Sequence, residues 1–251
     1  MIKKSSLVEW NIIVNKGRMP MYEGKTKRVT LASNQDEVII YYKDDSTAFN
    51  GVKRSNIKNK GVMNNRISAI IFEMLEIKGI PTHFIKQISD REQLCKKVEM
   101  IPLEVKVRNS LAGRTARRLG IAEGTVAGNI IYELCYKSDA MGDPLINEDY
   151  AAFLGLATYE ESAQIKKVAL KINEELTNYF AARGIRLIDL KMEFGRDLTG
   201  NIILADEISP DTCRLWDQGT GEKLDKDRFR RNLGNVTKGY EEILNRLQIK
   251  F

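Results

Sequence analysis

Residues 187–194, LIDLKMEF, and residues 201–208, NIILADEI, are two runs of strand-forming residues joined by a polar turn. Alternate side chains of a strand point to opposite faces. The first run therefore predicts Asp189, Lys191 and Glu193 on one face and three apolar residues on the other. Charges gathered on one face of a strand need water, each other or a ligand, so this hairpin is the first candidate for a functional site.

The register of the hairpin suggests a metal site. If the hairpin folds about a centre between Thr199 and Gly200, Glu193 lies opposite Asp206 with Cβ atoms about 5 Å apart. Two like charges in these positions are destabilising unless a cation lies between them. Mg²⁺ typically takes one or two carboxylates plus phosphate oxygens, so Glu193 and Asp206 are candidate ligands. The alternative is a solvated hairpin face neutralised by Lys191.

The segment after the hairpin reads Ser209-Pro210-Asp211, followed by Arg214. A Ser-Pro step favours an extended turn, which predicts that Asp211 and Arg214 project from a strand end. Loops on a rigid scaffold often carry binding residues. An ordinary acidic loop is the alternative.

A glycine turn near the start of the chain is a candidate phosphate site. Residues 22–27, YEGKTK, place Gly24 beside Lys25 and Lys27 just before a predicted strand. The spacing of a full P-loop is absent. What remains resembles the nucleotide loops of kinase-like lobes, and a plain hairpin is the alternative.

A third cluster lies on the predicted strand 104–109, EVKVRN. Glu104, Lys106 and Arg108 alternate onto one face of this strand. The guanidinium group of Arg108 is suited to a bidentate contact with a phosphate or carboxylate. The alternative is a charge ladder in which Glu104 neutralises its two neighbours.

The remaining pattern predicts a mixture of strands and helices. Apolar spacing predicts a helix over 63–75, ended by Gly79, and a capping box at Thr158 begins a second helix that runs to Arg183. One or two amphipathic helices follow Asp225. Further strands are expected at 27–33, 37–43, 46–52, 82–88, 94–100 and 103–109. A sheet-rich first part and a mixed second part predict an α+β fold with a cleft between two lobes.

The charge balance is the main feature of the composition. The chain has 251 residues and a net charge of +6. Lys3, Lys4, Lys16 and Arg18 against Glu9 contribute +3, so half of the excess lies in the first 18 residues. An RNA-binding protein would place basic and aromatic residues together on one face, and no such pattern occurs. We therefore expect neither a nucleic-acid nor a membrane partner.

The histidine and cysteine content narrows the chemistry further. His83 is the only histidine, which excludes a zinc site built on several imidazoles, and we expect it to be a packed or surface residue of a strand. Cys95, Cys135 and Cys213 are widely spaced and are expected to be free thiols in a reducing compartment. No run of residues is long and apolar enough to span a membrane, so a cytoplasmic location is expected.

Seven segments of the chain occur together in the order and spacing of one known family. They are YEGKTK (22–27), KGVMNN (60–65), IPLEVKVRNSLAG (101–113), DPLINE (143–148), LIDLKMEFG (187–195), DEISPDTCRLWD (206–217) and DKDRFR (225–230). Over about residues 21–248 the chain thus resembles the SAICAR synthetase family.

The resemblance implies an ATP-dependent ligase of purine biosynthesis. Such an enzyme joins the carboxylate of carboxyaminoimidazole ribonucleotide (CAIR) to the amine of L-aspartate, through an acyl phosphate, and releases ADP and phosphate. The implied fold is akin to ATP-grasp and kinase-like folds. It has an extension at 1–20, an antiparallel β-rich ATP-binding lobe at 21–101 and a mixed α/β lobe at 102–251, with the site in the cleft. Family members are often dimers, and a kinase-like phosphotransferase is the alternative function.

The resemblance also implies which residues contact ATP. Gly24, Lys25 and Lys27 would lie over the phosphates of ATP. Lys97 and Met100 would belong to the adenine pocket.

Residues that contact the other substrates follow in the same way. Arg108 and Arg214 would hold the phosphate or carboxylate of the ribonucleotide, and Lys137 and Asp143 match a loop near the substrates. Arg114 stands where family members usually have serine, and in that position it would supply a stronger anion contact or point to solvent.

The central hairpin would carry the remaining roles. Asp189, Lys191 and Asp211 would line the imidazole side of the ribonucleotide, and Asp211 or Asp189 is expected to assist removal of a proton from the amine. Glu193 and Asp206 would hold Mg²⁺, in agreement with the argument from the hairpin.

Overall fold

The computed structural model describes residues 20–48 and 52–248, so the N-terminal extension and part of the strand predicted at 46–52 lie outside the described residues. In chain order the strands are β1 (Pro20–Glu23), β2 (Lys27–Leu31), β3 (Glu37–Tyr42), β4 (Asp45–Ala48), β5 (Lys53–Asn56), β6 (Phe84–Gln87), β7 (Glu92–Lys96), β8 (Glu99–Met100), β9 (Leu103–Ser110), β10 (Val126–Tyr136), β11 (Leu145–Ile146), β12 (Ile185–Arg196), β13 (Ile202–Ala205) and β14 (Cys213–Asp217). The helices are α1 (Lys60–Ile77), α2 (Gly113–Leu119), α3 (Glu148–Phe153), α4 (Tyr159–Ala181), α5 (Asp227–Arg230) and α6 (Val236–Gln248).

The strands form two larger antiparallel sheets and one hairpin. The first sheet has the order β1-β2-β3-β7-β6, and β4 pairs with β5 in the hairpin. The second sheet has the order β11-β10-β9-β12-β13, and β8 and β14 also pair with β12. The predicted α+β fold with an antiparallel first sheet is therefore confirmed.

The long strand β12 organises the second sheet, with β9 on one side and β13 and β14 on the other. Ala205, the last residue of β13, pairs with Glu193, and Cys213, the first residue of β14, pairs with Leu190. Segment 206–212 therefore leaves the edge of β12 between these two pairs, so its side chains gather beside the centre of the strand.

The predicted register of the hairpin is wrong by one residue. Glu193 pairs with the residue before Asp206, not with Asp206 itself. The cause lies in the turn, where the Asp197 carboxylate accepts hydrogen bonds from the N–H groups of Thr199 and Asn201, both at 2.9 Å. These bonds centre the loop on Thr199. Asp206 lies just beyond the strand with a φ of 61°, so a turn of the backbone, and not strand pairing, directs its side chain.

Helix α1 is confirmed and provides much of the core. Its apolar side chains Ile67, Ile71, Phe72 and Leu75 are fully buried and belong to one cluster with residues of α4, α6 and the second sheet. The helix ends at Ile77, and Gly79 follows in the left-handed conformation, with a φ of 73°. This is the chain reversal that glycine accommodates without strain.

Helix α4 is also confirmed, with the predicted capping box. The Thr158 hydroxyl accepts a hydrogen bond from the Glu161 N–H at 3.1 Å, and the Glu161 carboxylate accepts one from the Thr158 N–H at 2.8 Å. Glu161 also forms an ion pair with Arg196 at the end of β12. The cap therefore fixes both the start of α4 and its position against the sheet.

One part of the second lobe differs from the sequence prediction. Arg214 does not project from an extended turn but lies within strand β14, paired with β12.

The helices expected after Asp225 are confirmed as the two helices α5 and α6. Helix α5 begins at Asp227, whose N–H donates to the Asp225 carboxylate at 2.7 Å. Among the described helices, none is long and apolar enough to cross a membrane.

Thr158→Ala tests the capping box, because Thr158 is exposed and contributes through its hydroxyl rather than through packing. We expect the free energy of unfolding to fall by about 1 kcal/mol, measured by urea denaturation. Thr158→Ser retains the hydroxyl and is the matched control, for which we expect a much smaller change. Equal losses in the two variants would contradict a capping role.

Candidate active site

A cavity of about 960 Å³ lies between the two sheets and is lined largely by charged side chains. The glycine turn before β2 forms one wall, and β9, β12 and segment 206–212 form the floor. Helix α2 and the residues around α5 complete it. The cavity thus brings together the three clusters identified from the sequence.

Asp189 ties two arginines together on the floor of the cavity. The side chain is buried and pairs with Arg108 of β9 on one side and with Arg214 of β14 on the other. Arg108 Nη1 and Arg214 Nη1 each donate to Asp189 Oδ2 at 2.7 Å. Arg108 also donates to Glu133 at 2.7 Å, and Arg214 donates to Asp227 at 3.1 Å. Both guanidinium groups are therefore fixed in place, and Asp189 is fully engaged.

The next residues of β12 form a network of alternating charges. Lys191 donates to Glu193 Oε1 at 3.0 Å and to Glu104 Oε1 at 3.1 Å. Burial alone would lower the pKa of Lys191, but the charges of Glu193 and Glu104 outweigh it and raise the pKa well above its ordinary value. Glu104 also pairs with Lys106 at 3.0 Å, and Lys137 reaches over the cavity to pair with Glu193. Of the charge ladder weighed for β9, the Glu104–Lys106 part is present, whereas Arg108 pairs elsewhere.

Lys27 joins the first sheet to segment 206–212. Its ammonium group forms ion pairs with Asp206 and, at 2.8 Å, with Glu207. Burial opposes ionisation of Asp206, but the charges of Lys27, Lys191 and Lys137 outweigh it and hold the pKa of this carboxyl group well below its ordinary value. Asp206 thus stays ionised among cations.

The turn that presents Lys27 packs closely against Tyr22. The Gly24 N–H donates to the Lys27 carbonyl oxygen at 2.8 Å, and a Cβ atom at position 24 would lie 2.7 Å from the ring of Tyr22. A larger residue would therefore require this exposed tyrosine side chain to move. Lys25 points to the other side of the cavity mouth, where it pairs with Asp139 at 2.7 Å.

Glu193 and Asp206 fit a magnesium site in their donor chemistry. Both supply carboxylate oxygens to the same cavity, and both interact with the charges of Lys137 and Lys191. Among the described residues, no group of three or more His, Cys, Asp or Glu side chains has an arrangement that could hold a metal ion. Two carboxylates without further protein ligands suit Mg²⁺, which usually completes its shell with phosphate oxygens and water.

Asp211 occupies the far end of the cavity in a separate cluster. Its Oδ2 atom accepts from Lys60 at 2.9 Å and from Lys226 at 3.3 Å, and its Oδ1 atom accepts from Tyr240 at 2.6 Å. Burial opposes its ionisation, but Lys226 and Lys60 outweigh burial and hold its pKa well below the ordinary value. A carboxylate held in this way is a weak proton acceptor.

The other predicted residues are divided between the cavity and its surroundings. Arg114, Lys137 and Asp143 line the cavity, with Arg114 exposed. Lys97 and Met100 do not line it. The Lys97 N–H donates to the Asp36 carbonyl oxygen at 2.9 Å, and Met100 is 40% exposed on β8.

The lone histidine lies outside the cavity lining. His83 is buried, with its ring edge-to-face against Phe72 at 5.3 Å, and burial lowers its pKa to about 4. It is therefore neutral near pH 7 and part of the core. The three cysteines are free and buried, as expected.

Sequence reasoning did not single out several residues that complete the site. They are Lys60, Glu133, Glu207, Lys226 and Tyr240. Lys60 and Lys226 lie in the segments KGVMNN and DKDRFR, and Glu207 is part of DEISPD, so the motifs contained a signal for these three. Glu133 and Tyr240 lie on elements with no such marker.

The comparisons with known proteins agree over the whole described chain. The family model for SAICAR synthetase matches residues 20–247. The phosphoribosylaminoimidazole-succinocarboxamide synthase of Clostridium novyi (strain NT) is 59% identical over 227 residues, which cover 90% of this chain and 96% of that protein.

Solved structures give the same result. The crystal structure of phosphoribosylaminoimidazole-succinocarboxamide synthase from Ehrlichia chaffeensis matches with a TM-score of 0.90 and 46% identity, covering 92% of this chain and 100% of that one. A SAICAR synthetase in complex with ADP matches with a TM-score of 0.88 and 45% identity, covering 92% and 99%. Since the family match spans both sheets and every element that lines the cavity, the chain belongs to the SAICAR synthetase family.

Proposed function

We propose that the protein is the ATP-dependent ligase of purine biosynthesis that joins L-aspartate to the carboxylate of CAIR, forming SAICAR, ADP and phosphate. The observation that carries this proposal is one cavity in which lysines pair with two carboxylates, Glu193 and Asp206, and two arginines lie on its floor. The three substrates are anions at neutral pH, so their reaction needs cations and fixed geometry rather than a nucleophilic side chain.

The nucleotide belongs at the glycine turn. Gly24, Lys25 and Lys27 are the proposed contacts to the phosphates of ATP, and the relative solved with ADP supports nucleotide binding. Lys27 is held by Asp206 and Glu207, so its charge is already positioned where the phosphates would lie. Lys97 is a further proposed contact, near the adenine.

Met100 is the second proposed contact near the adenine. It lies on β8, whose pairing with Gly195 of β12 brings it close to the end of the central hairpin. Its exposed side chain provides an apolar surface for a base.

Glu193 and Asp206 are the proposed magnesium ligands. Magnesium, when bound, would neutralise phosphate oxygens of ATP and so favour phosphoryl transfer. The protein's own part is to hold both carboxylates in place through Lys27, Lys137 and Lys191, until these lysines turn to the phosphates instead.

The ribonucleotide belongs on the floor of the cavity. Arg108 and Arg214 are the proposed contacts to its phosphate or carboxylate, because Asp189 fixes both guanidinium groups at the required place. Exposed Arg114 adds a cation at the entrance, and Asp143 accepts the Ser138 N–H at 2.9 Å, which orders the loop that carries Lys137.

The chemistry then needs two events at one carboxylate. Phosphoryl transfer from ATP to the CAIR carboxylate gives an acyl phosphate, and the amine of aspartate displaces the phosphate. Lys191, which donates to Glu193 and Glu104, is the proposed cation that stabilises negative charge developing on the transferred group. Asp189 and Asp211 are the proposed residues on the imidazole side of the ribonucleotide.

Omission of one substrate at a time tests the function. ADP formation is measured by a coupled assay with ATP, Mg²⁺, CAIR and L-aspartate, and each component is left out in turn. We expect sustained ADP release and SAICAR only in the complete mixture. The acyl phosphate forms only when CAIR is present, and it is consumed only when the amine of aspartate attacks it. A rate unaffected by the removal of aspartate, or phosphate retained on an organic acceptor, would contradict the ligase and indicate a phosphotransferase.

Glu193→Gln and Asp206→Asn test the metal site. Each replacement removes one anionic ligand at nearly constant shape, so we expect turnover to fall roughly 100-fold or more at saturating Mg²⁺. Thermal unfolding of each variant checks that the fold persists.

Asp90→Asn is the matched control for these two variants. Asp90 is also an ion-paired carboxylate, with Arg66 at 2.8 Å, but it lies outside the cavity lining. We expect near-normal turnover in this variant. Near-normal turnover in either Glu193→Gln or Asp206→Asn would remove that residue from the proposed metal site.

A further inference from the structure

Two lysines share one carboxylate at the end of the cavity. Lys60 and Lys226 both donate to Oδ2 of Asp211, at 2.9 and 3.3 Å, and Tyr240 donates to Oδ1 at 2.6 Å. The side chains of Lys60, Asp211 and Tyr240 are buried, and that of Lys226 is nearly so. One negative charge therefore faces two ammonium groups in a region from which water is largely excluded, and one of the two lysines is in excess.

The two lysines differ in their access to the cavity. Lys60 is the first residue of α1, its side chain is 1% exposed, and it does not line the cavity. Lys226 does line the cavity, and its side chain is 10% exposed. Only Lys226 can meet a substrate.

The surroundings of Lys226 disfavour its charged form. Burial lowers its pKa, the charges of Lys60 and Arg230 lower it further, and Asp211 and Glu207 only partly oppose them. Glu207 is itself held by Lys27 and by the hydroxyl group of Ser209. The lowered pKa raises the fraction of neutral amine near pH 7.

The proposed reaction needs such a group. The amine of aspartate is an ammonium ion at neutral pH and must lose a proton before it can attack. The carboxylates of the cavity floor are poorly suited to accept it, because Asp189 is bound by two arginines and Asp211 by two lysines and a tyrosine. Asp206 and Glu193 are likewise paired with lysines.

We propose that Lys226 is the catalytic base that takes the proton from the ammonium group of aspartate. This inference rests on the ligase function proposed above. The neutral Nζ atom accepts one proton, the freed amine nitrogen forms a bond to the acyl carbon, and the bond from that carbon to the phosphate oxygen breaks. The second proton of the attacking nitrogen leaves with the phosphate, and Lys226 returns its proton to cavity water.

Lys226→Arg is the decisive variant. Arginine keeps a positive charge beside Asp211 but remains protonated at any working pH. We expect the rate of SAICAR formation at pH 7 to fall about 100-fold or more, with the KM for ATP little changed. The fall should be smaller at high pH, where aspartate loses its proton without help.

Chemical rescue separates a proton acceptor from a structural residue. We expect Lys226→Ala to regain activity on addition of millimolar methylamine or ethylamine, with a larger effect as the free-base concentration rises with pH. Lys60→Ala is the matched control, because it removes the other ammonium group from the same Asp211 oxygen. Amines should not restore that variant, since position 60 has no access to the cavity.

Distinct outcomes would overturn the proposal. A near-normal rate of Lys226→Arg would exclude a proton acceptor at this position. A higher KM for aspartate in this variant, with an unchanged pH profile of kcat, would also exclude it and would indicate a binding role. If amines restored Lys60→Ala as well as Lys226→Ala, they would act by replacing a positive charge beside Asp211 and not by accepting a proton, which would contradict the proposal. Circular dichroism and thermal unfolding of Lys226→Arg verify the fold. If the wild-type protein formed no SAICAR from all three substrates, the ligase function itself would fail, a result independent of Lys226.

Discussion

The ion pair between Asp189 and the two arginines beside it is the interaction on which the site depends. Strand β12 is buried on both faces, one packed against apolar residues and the other charged. A charged face can be buried only when its groups are paired and hydrogen-bonded. Asp189 meets this requirement by binding Arg108 and Arg214 from the strands on either side, so the requirements of the fold also place the cations of the site.

The same compensation bears on the proposed binding of anions. Lysines of the cavity are held by carboxylates, as Lys27 is by Asp206 and Lys137 by Glu193. In the proposed function, a phosphate of ATP would meet side chains already in position, which reduces the entropy lost on binding. Glu193 and Asp206 would then be released to hold the proposed magnesium ion. Pairing in the free protein and the proposed binding of metal and phosphate would thus be two arrangements of one set of charges.

Much of this could be predicted from the sequence where the signal is local. The alternation in β12, the helix spacing of α1 and the capping box at Thr158 each depend on residues a few positions apart. The register of the hairpin was missed because Asp197 binds its own turn, which centres the loop on Thr199 and moves the strand pairing by one residue. The cluster at Asp211 was missed because its partners are far away in the chain, with Lys60 in α1 and Tyr240 in α6. Such contacts follow from how the helices pack, which residue spacing does not reveal.

Burial alone does not decide which lysines of the cavity stay charged. Lys191 faces two carboxylates, Glu193 and Glu104, and its pKa is raised despite burial. Lys226 shares a single carboxylate with a second lysine, and its pKa is lowered. Within one cavity, the charges around these two buried lysines thus move their pKa values in opposite directions. In the proposed mechanism, Lys191 accordingly acts as a cation towards the transferred phosphate, whereas Lys226 is the lysine that exchanges a proton.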